Sequence, residues 1–149
     1  MMKLSRYLDV KLVTFLETET RYETLRAMVD VIEASGKLTN KEEFFKAIID
    51  REAIISTGIG MGVAIPHAKL PTYDNFFIAI GLLKKGVDWD ALDEASVRIV
   101  FMIGGPDDKQ TEYLQILSGL TVAIKDEERR KKMLSMQSPK AIIDLFKAF

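Results

Sequence analysis

The chain of 149 residues has no cysteine, one histidine and one tryptophan, and each scarcity narrows its chemistry. Without cysteine there are no disulfides, no thiolate metal sites and no thiol nucleophile, a composition that suits a reducing compartment. One histidine and scattered carboxylates do not make a metal-binding set. A net charge of −1 gives no electrostatic reason to expect nucleic acid or an anionic membrane as partner. Long apolar runs are missing too: the longest, Phe76 to Leu83, is less than half of what a bilayer needs. The N-terminus lacks the apolar core of a signal peptide. A soluble, cytoplasmic protein is expected. With 48% hydrophobic and 29% charged residues it has the make-up of one globular domain spanning 1–149.

Local patterns give the element order. Val10 to Leu16 reads as a strand. Thr20 and Glu23 have capping-box spacing and open a helix whose apolar face is Leu25, Met28, Val29 and Ile32, with Gly36 to end it. Thr39 and Glu42 repeat the box ahead of a stripe of Phe44, Phe45, Ile48 and Ile49 that runs out near Asp50-Arg51. Gly58, Gly60 and Gly62 favour an irregular loop. Val63 to Ile65 and Phe76 to Leu83 read as strands, with Lys84-Lys-Gly86 as a turn into Val87. Val97 to Ile103 is a strand stopped by Gly104-Gly-Pro106. Thr111 to Ile124 has helical spacing through Leu114, Leu117, Leu120, Val122 and Ile124. Asp126 to Met136 continues helical, acids first, and Ser138-Pro139 opens a last helix. Helices at both ends around central strands predict an α/β protein, a three-layer α/β/α sandwich with a mixed sheet.

The lone imidazole, His67, closes the most distinctive stretch, Arg51-Glu-Ala-Ile-Ile-Ser-Thr-Gly-Ile-Gly-Met-Gly-Val-Ala-Ile-Pro-His67-Ala. Pro66 fixes the backbone just before it, and three glycines leave backbone amides open to an anion. A rigidly held, unprotonated imidazole is a nucleophile that needs no metal to attack phosphorus, which suits a phosphoryl acceptor. Phosphoryl transfer then needs positive charge around the equatorial oxygens. Arg51, sixteen residues earlier, is either the guanidinium that folds back to supply it or a solvated helix-end arginine. Ser56 and Thr57 either bind phosphate or shape the turn. Other chemistries fit worse. The glycines have the wrong spacing for a dinucleotide fingerprint and lack the ending of a P-loop. Ser56, His67 and Asp74 lack a nucleophile elbow. Arg129 to Lys132, flanked by acids and without aromatics, reads as a solvated helix face.

The stretch closely resembles the phosphorylation-site signature of type 2 EIIA domains of the bacterial sugar phosphotransferase system, the fructose–mannitol class that includes nitrogen-related EIIA regulators. Val87-Asp-Trp-Asp-Ala-Leu-Asp93, Val97-Arg-Ile-Val-Phe-Met-Ile103 and Tyr113-Leu-Gln-Ile-Leu-Ser118 follow the same pattern in the same order. The resemblance implies that His67 takes a phosphoryl group from phosphorylated HPr or a paralogue and passes it to an EIIB cysteine. Arg51 would steady the phosphate, and Thr57, Gly58, Gly60 and Gly62 would form the phosphate loop. No cofactor or metal is implied. No cysteine means no EIIB acceptor within these residues, so a stand-alone nitrogen-type regulatory EIIA is the first reading. A sugar-transport EIIA or an unphosphorylated binding module are the alternatives. Two positions depart from the pattern. Tyr113 stands where a second active-site histidine is typical; it is either a neutral partial substitute or helix packing. Losing one such contact costs on the order of 3 kcal/mol, about a hundredfold in rate. Met61 stands where a polar or acidic residue is common, and is either a rim contact for a protein partner or of no consequence.

Overall fold

In the computed structural model, which describes residues 3–149, the first elements form much as their caps dictate. Val10–Leu12 is a 3-10 turn capped by Asp9, so only Val13–Leu16 (β1) of the expected first strand is extended. Thr20 caps α1 (Arg21–Ala34), its hydroxyl accepting from the amide of Glu23 at 3.1 Å. In return the Glu23 carboxylate accepts from the Glu19 N–H at 3.4 Å rather than from that of Thr20. Gly36 follows the helix with φ of 82°, a conformation that glycine adopts without strain. Asn40, not Thr39, caps α2 (Lys41–Ile54), accepting from Glu43 N at 3.0 Å. Thr39 is held elsewhere, its N–H on the Tyr73 hydroxyl at 3.3 Å. α2 also runs a turn further than expected, so Arg51 lies inside its last turn.

The glycine segment is a hairpin, not an irregular loop: β2 (Gly58–Gly60) pairs antiparallel with β3 (Val63–Ala64) about Met61 and Gly62. Gly60, Met61 and Gly62 have φ of 95°, 61° and 74°, the positive values that tight hairpin turns require. β4 (His67–Lys69), β5 (Phe77–Val87) and β6 (Val97–Gly105) complete a mixed six-stranded sheet of order β1-β5-β6-β3-β2, with β4 also paired to β6. Lys84 to Gly86 do not turn. They form an exposed, irregular stretch of β5, because buried Val87 still pairs with Val97 after a register shift. The chain reverses instead through residues 88–96, around fully buried Trp89.

Side-chain alternation on β5 divides two cores. Ile78, Ile80 and Leu82 face α3 (Gln110–Lys125), α4 (Glu127–Ser135) and α5 (Pro139–Asp144), joining Ile116, Leu120, Met133 and Ile142. Phe77, Ala79 and Leu83 face α1 and α2, joining Met28, Ile32, Phe44 and Ile48. Fully burying each of the larger of these side chains is worth roughly 1.5–3 kcal/mol. The result is the expected three-layer α/β/α sandwich. α3 buries Tyr113, Ile116, Leu120, Ala123 and Ile124, whereas Leu114 and Val122 of the expected stripe are exposed. The basic run is not simply a solvated face. Arg129 donates to the carbonyls of Ala123 (3.0 Å) and Leu145 (3.1 Å) and lies over the Phe149 ring, and Arg130 donates to Ile124 O. The ends of the described chain meet, Ser5 N–H donating to Phe149 O at 3.3 Å. Among the described residues no helix is long and apolar enough to cross a membrane.

Candidate functional site

Pro66 determines how the imidazole is presented. β3 and β4 run parallel to β6 in one continuous register, Ala64 opposite Val100 and His67 opposite Ile103. Between them proline has no N–H to give the ladder, and the strand is interrupted. Ile65 bonds differently there: its N–H donates to Thr57 O at 3.0 Å and its carbonyl lies 3.1 Å from His67 Nδ1. A carbonyl only accepts, so Nδ1 carries the ring proton and Nε2 keeps its lone pair. Burial lowers the His67 pKa below its ordinary 6.5, opposed by the bond to Ile65 and reinforced by the nearby charges of Arg51 and Lys69. The ring is therefore neutral at pH 7, with Nε2 as its nucleophilic atom.

Three side chains surround it. Arg51 Nη1 donates to Ile55 O at 3.0 Å, which folds the guanidinium back over the end of α2, and its charge acts on both His67 and Tyr113. Lys69, which sequence reasoning missed, emerges two residues beyond His67 on the same half-exposed face of β4, with Ala68 buried between them. Period-two alternation on a strand after Pro66 was the signal that could have found it. Its ammonium lies 4.1 Å from the Tyr113 ring centre and donates to Gln110 Oε1 at 2.8 Å. Neither cation has a carboxylate within salt-bridge distance among the described residues.

Tyr113 completes the set, its ring centre 5.5 Å from that of His67 and 6.0 Å from that of Phe76, on which it stacks. It is both packed and next to the imidazole, so the two alternatives for this residue are not exclusive. Burial raises its pKa, with Arg51 opposing, so the phenol stays a hydrogen-bond donor. Glycine underlies this arrangement: any Cβ on Gly105 would collide with the Phe76 ring that supports Tyr113. Exposed apolar residues follow two of the site residues along the chain, Ile54 and Ile55 after Arg51 and Leu114 after Tyr113.

The expected phosphate loop is not assembled around His67. Gly60 pairs with Val63 opposite Ile99, four residues along β6 from Ile103, the partner of His67. That is ~13 Å at ~3.3 Å per residue, and Gly62 and Met61 lie further out at the hairpin tip. Met61 sits there beside Arg130 and gives its N–H to Asp93 at 3.2 Å, away from the imidazole. Gly58 is nearer, but its N–H is taken by Ser56 Oγ at 3.1 Å. Ser56 itself donates to Trp89 O, the turn-shaping role. Thr57 has no free donor for a phosphate: its N–H and hydroxyl both go to Glu52, at 2.8 and 2.6 Å. Buried Glu52 was not singled out from sequence, where it reads as one more helix carboxylate.

The fold and site define a three-layer α/β/α domain that presents one neutral imidazole near two cations without a carboxylate partner among the described residues. The family model of the phosphoenolpyruvate-dependent sugar phosphotransferase system, EIIA 2, matches residues 6–149, and the chain belongs to that family. It is 39% identical over 130 residues to the fructose-specific EIIABC component of Bacillus subtilis, covering 87% of this chain and 20% of that protein's length. It is 28% identical over 119 residues to a nitrogen regulatory protein of Bradyrhizobium diazoefficiens, covering 78% of each. The crystal structure of the nitrogen regulatory protein IIA-Ntr from Neisseria meningitidis superposes with a TM-score of 0.90 over 97% of this chain and 99% of that one; at 21% identity this likeness concerns the fold.

Proposed function

We propose that the chain is a phosphoryl carrier, with Nε2 of His67 accepting a phosphoryl group from a phosphorylated HPr-like protein in the cytoplasm. The observation that supports this most is the Nδ1–H bond to the Ile65 carbonyl, which leaves Nε2 unprotonated at neutral pH. As the P–Nε2 bond forms, the P–N bond of the donor breaks and its electron pair leaves with the donor's ring. The proton stays on Nδ1 and keeps its hydrogen bond to the Ile65 carbonyl, which stabilises the charge the His67 ring acquires. Arg51 and Lys69 supply positive charge to the equatorial oxygens, and the Tyr113 hydroxyl donates a hydrogen bond. Ile54, Ile55 and Leu114 give a protein donor an apolar surface to dock on.

Downstream, two roles share this chemistry. A regulatory, nitrogen-type role is the first reading, and the Bradyrhizobium relative supports it. Transfer to an EIIB cysteine is the second, favoured by the higher identity to the fructose-specific Bacillus protein.

Intact-mass analysis after incubation with Enzyme I, HPr and phosphoenolpyruvate tests the carrier reading. One added phosphoryl group on the native protein and none on His67→Ala is expected; phosphate retained by the variant overturns the assignment. Adding a fructose-type EIIB then separates the roles. Discharge onto its cysteine supports transport, and a phosphoprotein that does not discharge supports regulation.

A further inference from the structure

We propose that Glu52 and Thr57 are positioning residues for His67, holding its ring in the tautomer that leaves Nε2 free. The kinetic part of this inference rests on the carrier reading; the tautomer part does not.

Hydrogen-bond directions around Thr57 admit one arrangement. An indole N–H only donates, so Trp89 Nε1, 3.3 Å from Thr57 Oγ1, occupies a lone pair of that oxygen. A carboxylate only accepts, so the single hydroxyl proton goes to Glu52 Oε1, at 2.6 Å, while the Thr57 N–H goes to Oε2, at 2.8 Å. Both oxygens of a carboxylate that is only 5% exposed are thus committed to one residue. Arg21 lies 3.6 Å from Oε2 and donates to Trp89 O at 3.0 Å, which closes the network. No buried side-chain polar atom is left unpaired among the described residues. Thr57 is held at its amide and at its hydroxyl, by an acceptor and a donor, from α2 and from the 88–96 segment.

The immobilised group is the Thr57 carbonyl, which accepts from the Ile65 N–H at 3.0 Å. Ile65 is fixed on that side by Thr57 and on the other by Pro66, whose ring restricts the residue before it. Its carbonyl is therefore aimed from both sides at His67 Nδ1. A free neutral histidine side chain prefers its proton on Nε2, which would block attack through that atom. The sequence Glu52, Thr57, Ile65, His67 reverses the preference at a distance, as the partner of one ring nitrogen sets the state of the other. Glu52 also follows Arg51 directly in α2, so the same anchor fixes the last turn that carries the guanidinium.

Because the chain has one histidine, nitrogen-15 NMR of the unphosphorylated protein above pH 7 reads a single ring. The native protein is expected to show a protonated Nδ1 and an unprotonated Nε2. Thr57→Val should shift the ring toward the Nε2–H form and slow loading about tenfold or more at an unchanged half-saturating donor concentration. Thr57→Ser, which restores the hydroxyl, should recover both. Should Thr57→Val fail to fold by circular dichroism, Glu52→Gln, of equal volume with one acceptor fewer, carries the same comparison. A folded variant that keeps the Nδ1–H tautomer and loads at the native rate overturns the proposal. A native protein that does not load counts against the carrier reading, and the tautomer shift alone then decides the positioning role.

Discussion

The two ends of the central sheet use positive charge in opposite ways. Beyond the hairpin tip, the guanidinium groups of Arg129 and Arg130 are consumed by the fold. They bond to the last carbonyls of α3, where the helix dipole is negative, and Arg129 is also 3.3 Å from Asp126 and stacked on Phe149. At the His67 end, Arg51 and Lys69 are only partly engaged, by one backbone carbonyl, one glutamine amide oxygen and the Tyr113 ring, and among the described residues no carboxylate lies within salt-bridge distance of either. Like residues serve structure where the surroundings complete their charge. Where the surroundings leave it incomplete, they are ready for a negatively charged ligand.

The largest effect that would break or sharpen this contrast is at the imidazole. His67→Ala should eliminate uptake of a phosphoryl group by intact mass while the thermal unfolding profile keeps a single cooperative transition. Next come the arginines, which should separate cleanly. Arg51→Ala is expected to slow loading about a hundredfold, as for loss of one transition-state donor, with stability changed by less than about 0.5 kcal/mol. Arg129→Ala is expected to lose about 2 kcal/mol in urea denaturation, as for charged hydrogen bonds left unmade, and to load at the native rate. Equal stability losses in the two would dissolve the contrast.

Smaller effects are expected from the residues beside the ring. Lys69→Met should slow loading about tenfold, an effect that falls with added salt if it acts through charge. Tyr113→His should accelerate transfer in rapid-quench kinetics; an unchanged rate would assign Tyr113 to packing alone. The smallest effect is on stability against pH. Burial lowers the His67 pKa in the folded state, so below about 6.5 the unfolded chain binds a proton that the native ring refuses. This group contributes no pH dependence above about 6.5. Stability then falls as the pH drops toward the lowered native value, and levels off below it. His67→Gln should remove that slope from urea midpoints measured between pH 5 and 8.

Much of the framework was legible because it is local. Thr20, Ser138 and the continuous apolar runs of β5 and β6 carry their signals within a few residues, and the helix and strand types followed. The errors arose where distant partners decide. Asn40 replaces Thr39 as a cap because Tyr73, thirty-four residues on, takes the Thr39 amide. Gly86 looks like a turn, yet Val87 must pair with Val97 and be buried. In the site, the Ile-Pro-His step announced a rigid imidazole and the local spacing brought Arg51 near. The glycines suggested an anion loop, but only register reveals that Gly60 and Gly62 lie at the other end of the strand. Lys69 was visible only once β4 existed as a strand. Glu52 and Thr57 look like ordinary helix and turn residues until Trp89 and Arg21 are folded around them.

One feature of the architecture bears on how such a domain is carried by longer chains. Where Ser5 meets Phe149, the polypeptide enters and leaves the fold at one point, with both cores closed between. A unit with adjoining ends behaves as a cassette: it can be spliced into another protein, or its chain reopened elsewhere and its ends joined, without stretching a strand or separating a helix from the sheet. The same fold thus suits a region that makes up a fifth of the Bacillus protein's length as well as one that makes up most of the Bradyrhizobium protein.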